Sequence, residues 1–142
     1  MKKILITLVC LVSQFPLLAI DLVVEIQNRK SSQSEILCGI YVSQEGFPTD
    51  PSKRLLGVTG TKEGTKTFCR FKTLSPKTYS VSVLEDLNGN KKMDSTFVGF
   101  PKEPWGVSQN APMHAFGPPT FAEASFILEA DKTIQIKLNI PE

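Results

Sequence analysis

Residues 133–139 read TIQIKLN, a stretch in which polar and apolar side chains alternate without interruption. Alternation with a period of two residues is typical of a β-strand that buries one face and exposes the other. Residues 78–85 (TYSVSVLE) repeat the pattern, and there Ser80 and Ser82 lie on the face opposite the apolar residues. The side chains predicted to face inward in these two stretches are Tyr79, Val81, Val83, Ile134, Ile136 and Leu138, and Ile140, directly after residues 133–139, continues the pattern.

Short strand-like stretches also cover much of the remaining chain. The further predicted strands are residues 22–27, 35–43, 54–60, 66–72 and 124–129. No run of a dozen residues has the apolar spacing of an amphipathic helix, and Pro51 offers the start of a single helical turn only. This pattern predicts an all-β fold, an antiparallel β-sandwich of the immunoglobulin-like or transthyretin-like type.

The first nineteen residues have the pattern of a targeting segment. Lys2 and Lys3 precede a short apolar run, residues 4–12, which is too short to span a bilayer. Ala19 offers a small residue at a cleavage position, which predicts a signal peptide over residues 1–19 and a single domain over residues 20–142. The alternative is an uncleaved N-terminal anchor. Cleavage implies a periplasmic or secreted protein with no membrane span of its own.

Net charge excludes one class of partner. The chain has 16 Lys and Arg residues against 14 Asp and Glu residues, and cleavage after Ala19 would remove Lys2 and Lys3, leaving 14 of each sign. A neutral domain has no basic field to attract nucleic acid or anionic lipid. The expected partner is therefore an unidentified ligand or an envelope protein, and not nucleic acid.

Two cysteines, Cys38 and Cys69, belong to the predicted mature domain. Each is in phase with the apolar face of its predicted strand, so both point inward, and export would place them where disulfides form and persist. They can bridge the two sheets, or they can remain buried thiols that act as small apolar side chains. Inward direction alone does not establish the Cα separation that a disulfide needs.

Residues 86–94 (DLNGNKKMD) resemble a calcium-binding loop. Oxygen-bearing side chains stand at positions 1, 3, 5 and 9, a spacing that directs successive ligands at one hard cation. The candidate ligands are Asp86, Asn88, Asn90 and Asp94, with the backbone carbonyl of Lys92. Position 12 is Phe97, so the bidentate Glu of an EF-hand is missing, and Ca²⁺ would bind only weakly. The alternative is a turn rich in Asn and Asp, since Asn-Gly is itself a turn signal.

A long segment without regular period, residues 95–122, holds five large aromatic residues and five prolines. Segments of this length inside a compact domain are usually functional or disordered, and the aromatic content argues for order. We expect the segment to pack over one end or edge of the sandwich, where it either binds a ligand or caps a sheet edge. Trp105, Phe100 and Phe116 are the candidate ligand-binding residues. The alternative for Trp105 is a place over the core.

Four runs, in this order along the chain, resemble the motifs of a known family. They are GFPTDP (46–51), DLNGNKKMD (86–94), VGFPKEPWGVSQNA (98–111) and FGPPTF (116–121). The chain is similar in these to a widespread bacterial family of small exported proteins that is catalogued as a domain of unknown function. The resemblance implies a β-sandwich in the periplasm or outside the cell, with no established enzymatic activity. Lys91 and Lys92 depart from the Gly or Asp common in relatives, and the cysteine pair is not part of the family pattern.

Catalytic patterns are sparse. His114 is the only histidine, and no serine or cysteine lies in a nucleophile elbow. The sequence therefore favours a non-enzymatic binding or accessory module of the cell envelope, with Ca²⁺ as a candidate stabilising ion. One alternative is a hydrolytic enzyme whose carboxylates, with His114, lie at one end of the sandwich; these are Asp86, Asp94 and Glu103. Another alternative is a purely structural envelope component.

Overall fold

The computed structural model describes residues 19–142, and the predicted signal peptide, residues 1–19, lies outside them except for Ala19. The described residues form nine strands. In chain order they are β1 (Ile20–Gln27), β2 (Glu35–Tyr41), β3 (Leu56–Thr59), β4 (Thr61–Glu63), β5 (Lys66–Leu74), β6 (Lys77–Asp86), β7 (Trp105–Val107), β8 (Phe126–Leu128) and β9 (Lys132–Lys137). All seven predicted strands are present, and β4 and β7 are additional.

Helical structure is short. Helix α1 spans Phe121–Ala124, and single 3₁₀ turns occupy Pro51–Lys53 and Ser108–Asn110. The first of these turns confirms the prediction that Pro51 begins one helical turn. In the part of the chain that the structure describes, no helix is both long and apolar enough to cross a bilayer.

Two sheets face each other and confirm the predicted all-β sandwich. The first has the order β4-β5-β1-β9, and the second has the order β3-β2-β6-β7, with β8 paired to the start of β6. Every strand pair is antiparallel except β1 and β9, which run parallel. At this one pair the last strand, β9, adds to the edge of the sheet beside β1 and runs in the same direction.

The core between the sheets is built from the inward faces of the alternating strands. Tyr79, Val81 and Val83 are buried there, as predicted. Cys38 on β2 and Cys69 on β5 form a disulfide across the core, with their Cα atoms 6.4 Å apart. The predicted inward direction of both cysteines is confirmed, and the bridge ties one sheet to the other.

Ile140 does not follow the predicted pattern of the last strand, since it is exposed whereas Ile136 and Leu138 are buried. The reason is that β9 ends at Lys137 and the chain then crosses to the other sheet. Asn139 and Trp105 exchange backbone hydrogen bonds of 2.7 and 3.1 Å. Beyond that crossing, a residue that continues the alternation, such as Ile140, no longer points into the same core.

The outer face of the second sheet is covered rather than solvated. Ser80 is completely buried, and its hydroxyl donates to the backbone oxygen of Phe121 at 2.9 Å. A second apolar cluster lies on this face, formed by buried Tyr41, Phe47, Trp105, Val107, Ala111 and Ala124, with Met93, Met113 and Phe121 packed against it. The long segment 95–122 thus supplies edge strand β7 and also covers the outer face of the second sheet.

Candidate functional site

A groove of about 450 Å³ lies on the outer face of the second sheet. Its floor is formed by β2, β6 and β7, and its walls by three connecting segments, residues 48–54, 91–101 and 113–118. Trp105 lines the groove and is 9% exposed. The indole therefore packs on the sheet and presents only a small surface to a bound molecule.

A pair of glycines shapes one side of the floor. Gly39 on β2 and Gly57 on β3 are directly paired across the two strands. A Cβ atom at Gly39 would lie 3.3 Å from Cδ of Arg54, and one at Gly57 would overlap the Arg54 guanidinium. Because neither residue has a side chain, Arg54 can lie flat against the backbone of the sheet. The sequence analysis did not identify Arg54, and the glycines that accommodate it lie 18 residues apart.

Tyr41 closes the groove beside Arg54. Its hydroxyl donates to the backbone oxygen of Asp50 at 3.2 Å, and its ring meets Phe47 edge-on with the centroids 5.3 Å apart. Burial raises the pKa of the Tyr41 hydroxyl, against smaller lowering effects of Ser82 and of the Arg54 charge. Tyr41 therefore stays neutral and serves as a polar group at the wall of the groove.

The charged side chains of the groove are all cationic. Arg54, Lys91 and Lys92 line it, and no Asp or Glu of the described chain does so. The guanidinium of Arg54 makes no hydrogen bond and no salt bridge with any residue in the range 19–142. The groove thus combines an apolar floor with charged lining residues that are all positive.

Two hairpins with exposed aromatic tips border the groove. The first hairpin, residues 94–102, is closed by the Lys102 N–H donating to the Asp94 backbone oxygen at 2.7 Å. The second hairpin, residues 113–118, is closed by the His114 N–H donating to the Gly117 backbone oxygen at 2.9 Å. Of the predicted ligand-binding aromatics, Phe100 and Phe116 lie on these hairpins and are exposed, so only Trp105 contributes its side chain to the groove lining.

Three of the candidate cation ligands lie together in the loop 86–94. The Nδ2 of Asn88 donates to Asp94 at 2.5 Å and the Nδ2 of Asn90 donates to it at 3.1 Å. Asp86 points elsewhere, because its carboxylate accepts from the N–H groups of Gly89 and Lys91, both at 2.8 Å. Within residues 19–142, no three His, Cys, Asp or Glu side chains are grouped to hold a metal ion. A cation in this loop would therefore depend on amide and backbone oxygens beside Asp94.

Buried Glu103 joins the two ends of the loop 86–94, a role that the sequence analysis did not foresee. Its Oε1 accepts from the Leu87 N–H at 2.8 Å and its Oε2 accepts from the Asp94 N–H at 3.1 Å. Because Asp94 also begins the first hairpin, one carboxylate holds both the loop and the hairpin that walls the groove. No local pattern signalled this contact.

His114 is paired with Glu123 rather than with the carboxylates of the loop. The His114 Nε2 lies 2.9 Å from Oε2 of Glu123, which also accepts from the N–H and hydroxyl of Thr120, the residue that caps α1. The His114 hydrogen bond, followed by those of Thr120, lowers the pKa of Glu123 to about 2. This arrangement fixes the second hairpin to the start of α1.

Comparisons with known proteins give a family but no characterised relative. Neither the curated proteins nor the solved structures contain a match to this chain. A family model described as an uncharacterized protein conserved in bacteria (DUF2141) matches residues 24–137, which run from within β1 to the end of β9. The chain belongs to this bacterial family.

Proposed function

We propose that the protein is an exported, non-enzymatic binding module of the bacterial cell envelope, and that the groove on the second sheet is its binding site. The observation that carries the proposal is a concave site of about 450 Å³, which lies within the range of about 300–1,000 Å³ found for small-molecule sites. Its floor of aromatic and aliphatic residues and its few polar groups fit that class of site. The core disulfide supports export, because such bonds persist in oxidising compartments.

A fragment screen by NMR tests this assignment. Apolar fragments are expected to shift the backbone amide signals of Gly39, Ser82 and Gly106, which line the groove. Ser82→Phe, which fills the floor, should abolish these shifts. Thr78→Phe is the matched control, because Thr78 lies on the same face of β6 but outside the groove. The assignment would be overturned if no fragment shifted these signals, or if the shifted signals clustered elsewhere on the protein.

The non-enzymatic part of the proposal is supported by the hydrogen bonds of the carboxylates. Asp86 and Glu103 are buried, and each accepts from two backbone N–H groups. A hydrolytic role would require one of them to release these bonds and reach a substrate. His114, the only histidine of the chain, is hydrogen-bonded to Glu123 rather than to these carboxylates.

We also propose that the loop 86–94 binds Ca²⁺ weakly. The support is the convergence of Asn88 and Asn90 on Asp94. Rotating either amide would release the backbone N–H bond that its oxygen now accepts and would turn that oxygen towards Asp94. The Lys92 carbonyl remains the predicted backbone ligand. Mg²⁺ should substitute poorly, because it demands a tighter octahedral shell.

Thermal unfolding in calcium and in chelator tests this second proposal. At about ten times Kd, binding to the folded state adds about 1.4 kcal/mol, which raises Tm by a few degrees for a domain of this size. Asp94→Asn should remove the gain without disturbing the backbone bonds that Asp86 makes. Melting curves that coincide in millimolar calcium and in excess chelator would reduce the motif to a turn.

A further inference from the structure

We infer that the groove takes an apolar carboxylate, whose carboxyl group pairs with Arg54 and whose hydrocarbon part lies against Trp105. The inference rests on the proposed function, in that it names the ligand class of the same groove. It follows from a difference between Arg54 and the other two arginines, and from the position of the Arg54 side chain against the sheet.

The contrast concerns the three arginines, Arg29, Arg54 and Arg70. Arg29 lies 3.6 Å from the carboxylate of Glu85, and Arg70 forms a salt bridge of 2.8 Å with Glu63. Arg54 has no carboxylate partner among residues 19–142. Its neighbour Lys53 is already neutralised by Glu45 at 2.6 Å. The one arginine without a counter-charge is therefore the one that lines the groove.

The side chain of Arg54 also lies against the sheet, although the residue is exposed to solvent. The paired glycines, Gly39 and Gly57, let its side chain lie on the sheet, and any side chain at Gly57 would displace the guanidinium. Contact with the sheet on this side limits the positions that the guanidinium can take before a ligand arrives, which favours binding. Its planar set of donors matches a carboxylate in two parallel hydrogen bonds.

The rest of the lining selects the body of the ligand. Beside Arg54 the floor and walls present Leu84, Met93, Trp105 and Met113. Methionine side chains adapt to irregular apolar shapes, and Trp105 adds the small part of its indole that is exposed in the groove. Lys91 and Lys92 add positive charge at the wall, and the lack of acidic lining disfavours a cationic ligand. The charge and the apolar surface together fit an amphipathic monoanion.

Isothermal titration with three ten-carbon probes tests the inference: decanoate and decylamine, each below its micelle concentration, and decanol below its solubility limit. Decanoate should bind most tightly and decylamine least. Arg54→Gln should weaken decanoate binding by about 10- to 100-fold, the range expected for losing hydrogen bonds to a charged group, and should leave decanol binding unchanged. Arg54→Lys should restore part of the affinity, because the charge returns without the planar fork.

Arg70→Gln is the matched control, since it removes an exposed arginine from the other sheet and should not change binding. Equal affinities for decanoate and decanol, with no effect of Arg54→Gln, would overturn the inference and leave the groove as a neutral apolar site. If no probe binds, and the fragment screen also finds no hit in the groove, the proposed function fails together with it. Weaker decanoate binding in Arg70→Gln than in Arg54→Gln would place the carboxylate elsewhere and equally overturn the inference.

Discussion

Reduction of the disulfide between Cys38 and Cys69 is expected to lower the free energy of unfolding by several kcal/mol. The two residues are separated by 31 positions in sequence. Without the cross-link, the unfolded chain gains conformational entropy that is worth about 3.7 kcal/mol for a loop of this length, which stabilises the unfolded state. Both residues are buried in the core, so the reduced thiols stay as small apolar groups and the change falls mainly on the unfolded state. With about 2.1 cal/mol/K of unfolding entropy per residue, the expected fall in Tm is about 14 °C.

Thermal and urea unfolding, followed by circular dichroism with and without a phosphine reductant, measures this loss. The reduced protein should also show a larger urea m-value, because its unfolded state exposes more surface. The double variant Cys38→Ala/Cys69→Ala is the control, since its unfolding should not respond to the reductant. A fall in Tm of less than about 3 °C on reduction would refute the chain-entropy reasoning. Complete alkylation of both thiols in unfolded, unreduced protein would refute the bond itself.

Three further predictions concern the loop, the cap of α1 and the N-terminus. Glu103→Gln, which removes the charged acceptor at the ends of the loop 86–94, should lower the free energy of urea unfolding by about 1–3 kcal/mol. The pKa of Glu123 is lowered to about 2, so the stability it contributes is present above its unfolded pKa near 4.5 and is lost as pH falls towards 2. Glu123→Gln should accordingly be less stable than wild type at pH 6, and the difference in Tm should vanish near pH 2. Mass spectrometry of envelope protein should find an N-terminus at or near Ile20, whereas a chain that retains Met1 would contradict cleavage.

The strands and the inward direction of the two cysteines could be predicted because their information is local, whereas the disulfide itself was one of two alternatives. An alternating stretch such as 133–139 specifies which residues face the core whatever strand lies beside it. Cys38 and Cys69 each carry the phase of their own strand, and two inward phases in a two-sheet fold bring the side chains into one core. The predicted inward direction failed at Ile140, where the chain changes sheets.

The groove was decided by tertiary structure, because its parts have no common sequence period. Trp105–Val107 is too short to show alternation, and it is a strand only because β6 and Asn139 lie beside it. The position of the Arg54 side chain depends on Gly39, which is far from it in sequence but is paired with Gly57 in the sheet. Periodicity reports which way a residue points, whereas a binding site depends on which distant segments meet, and only the packed chain determines that.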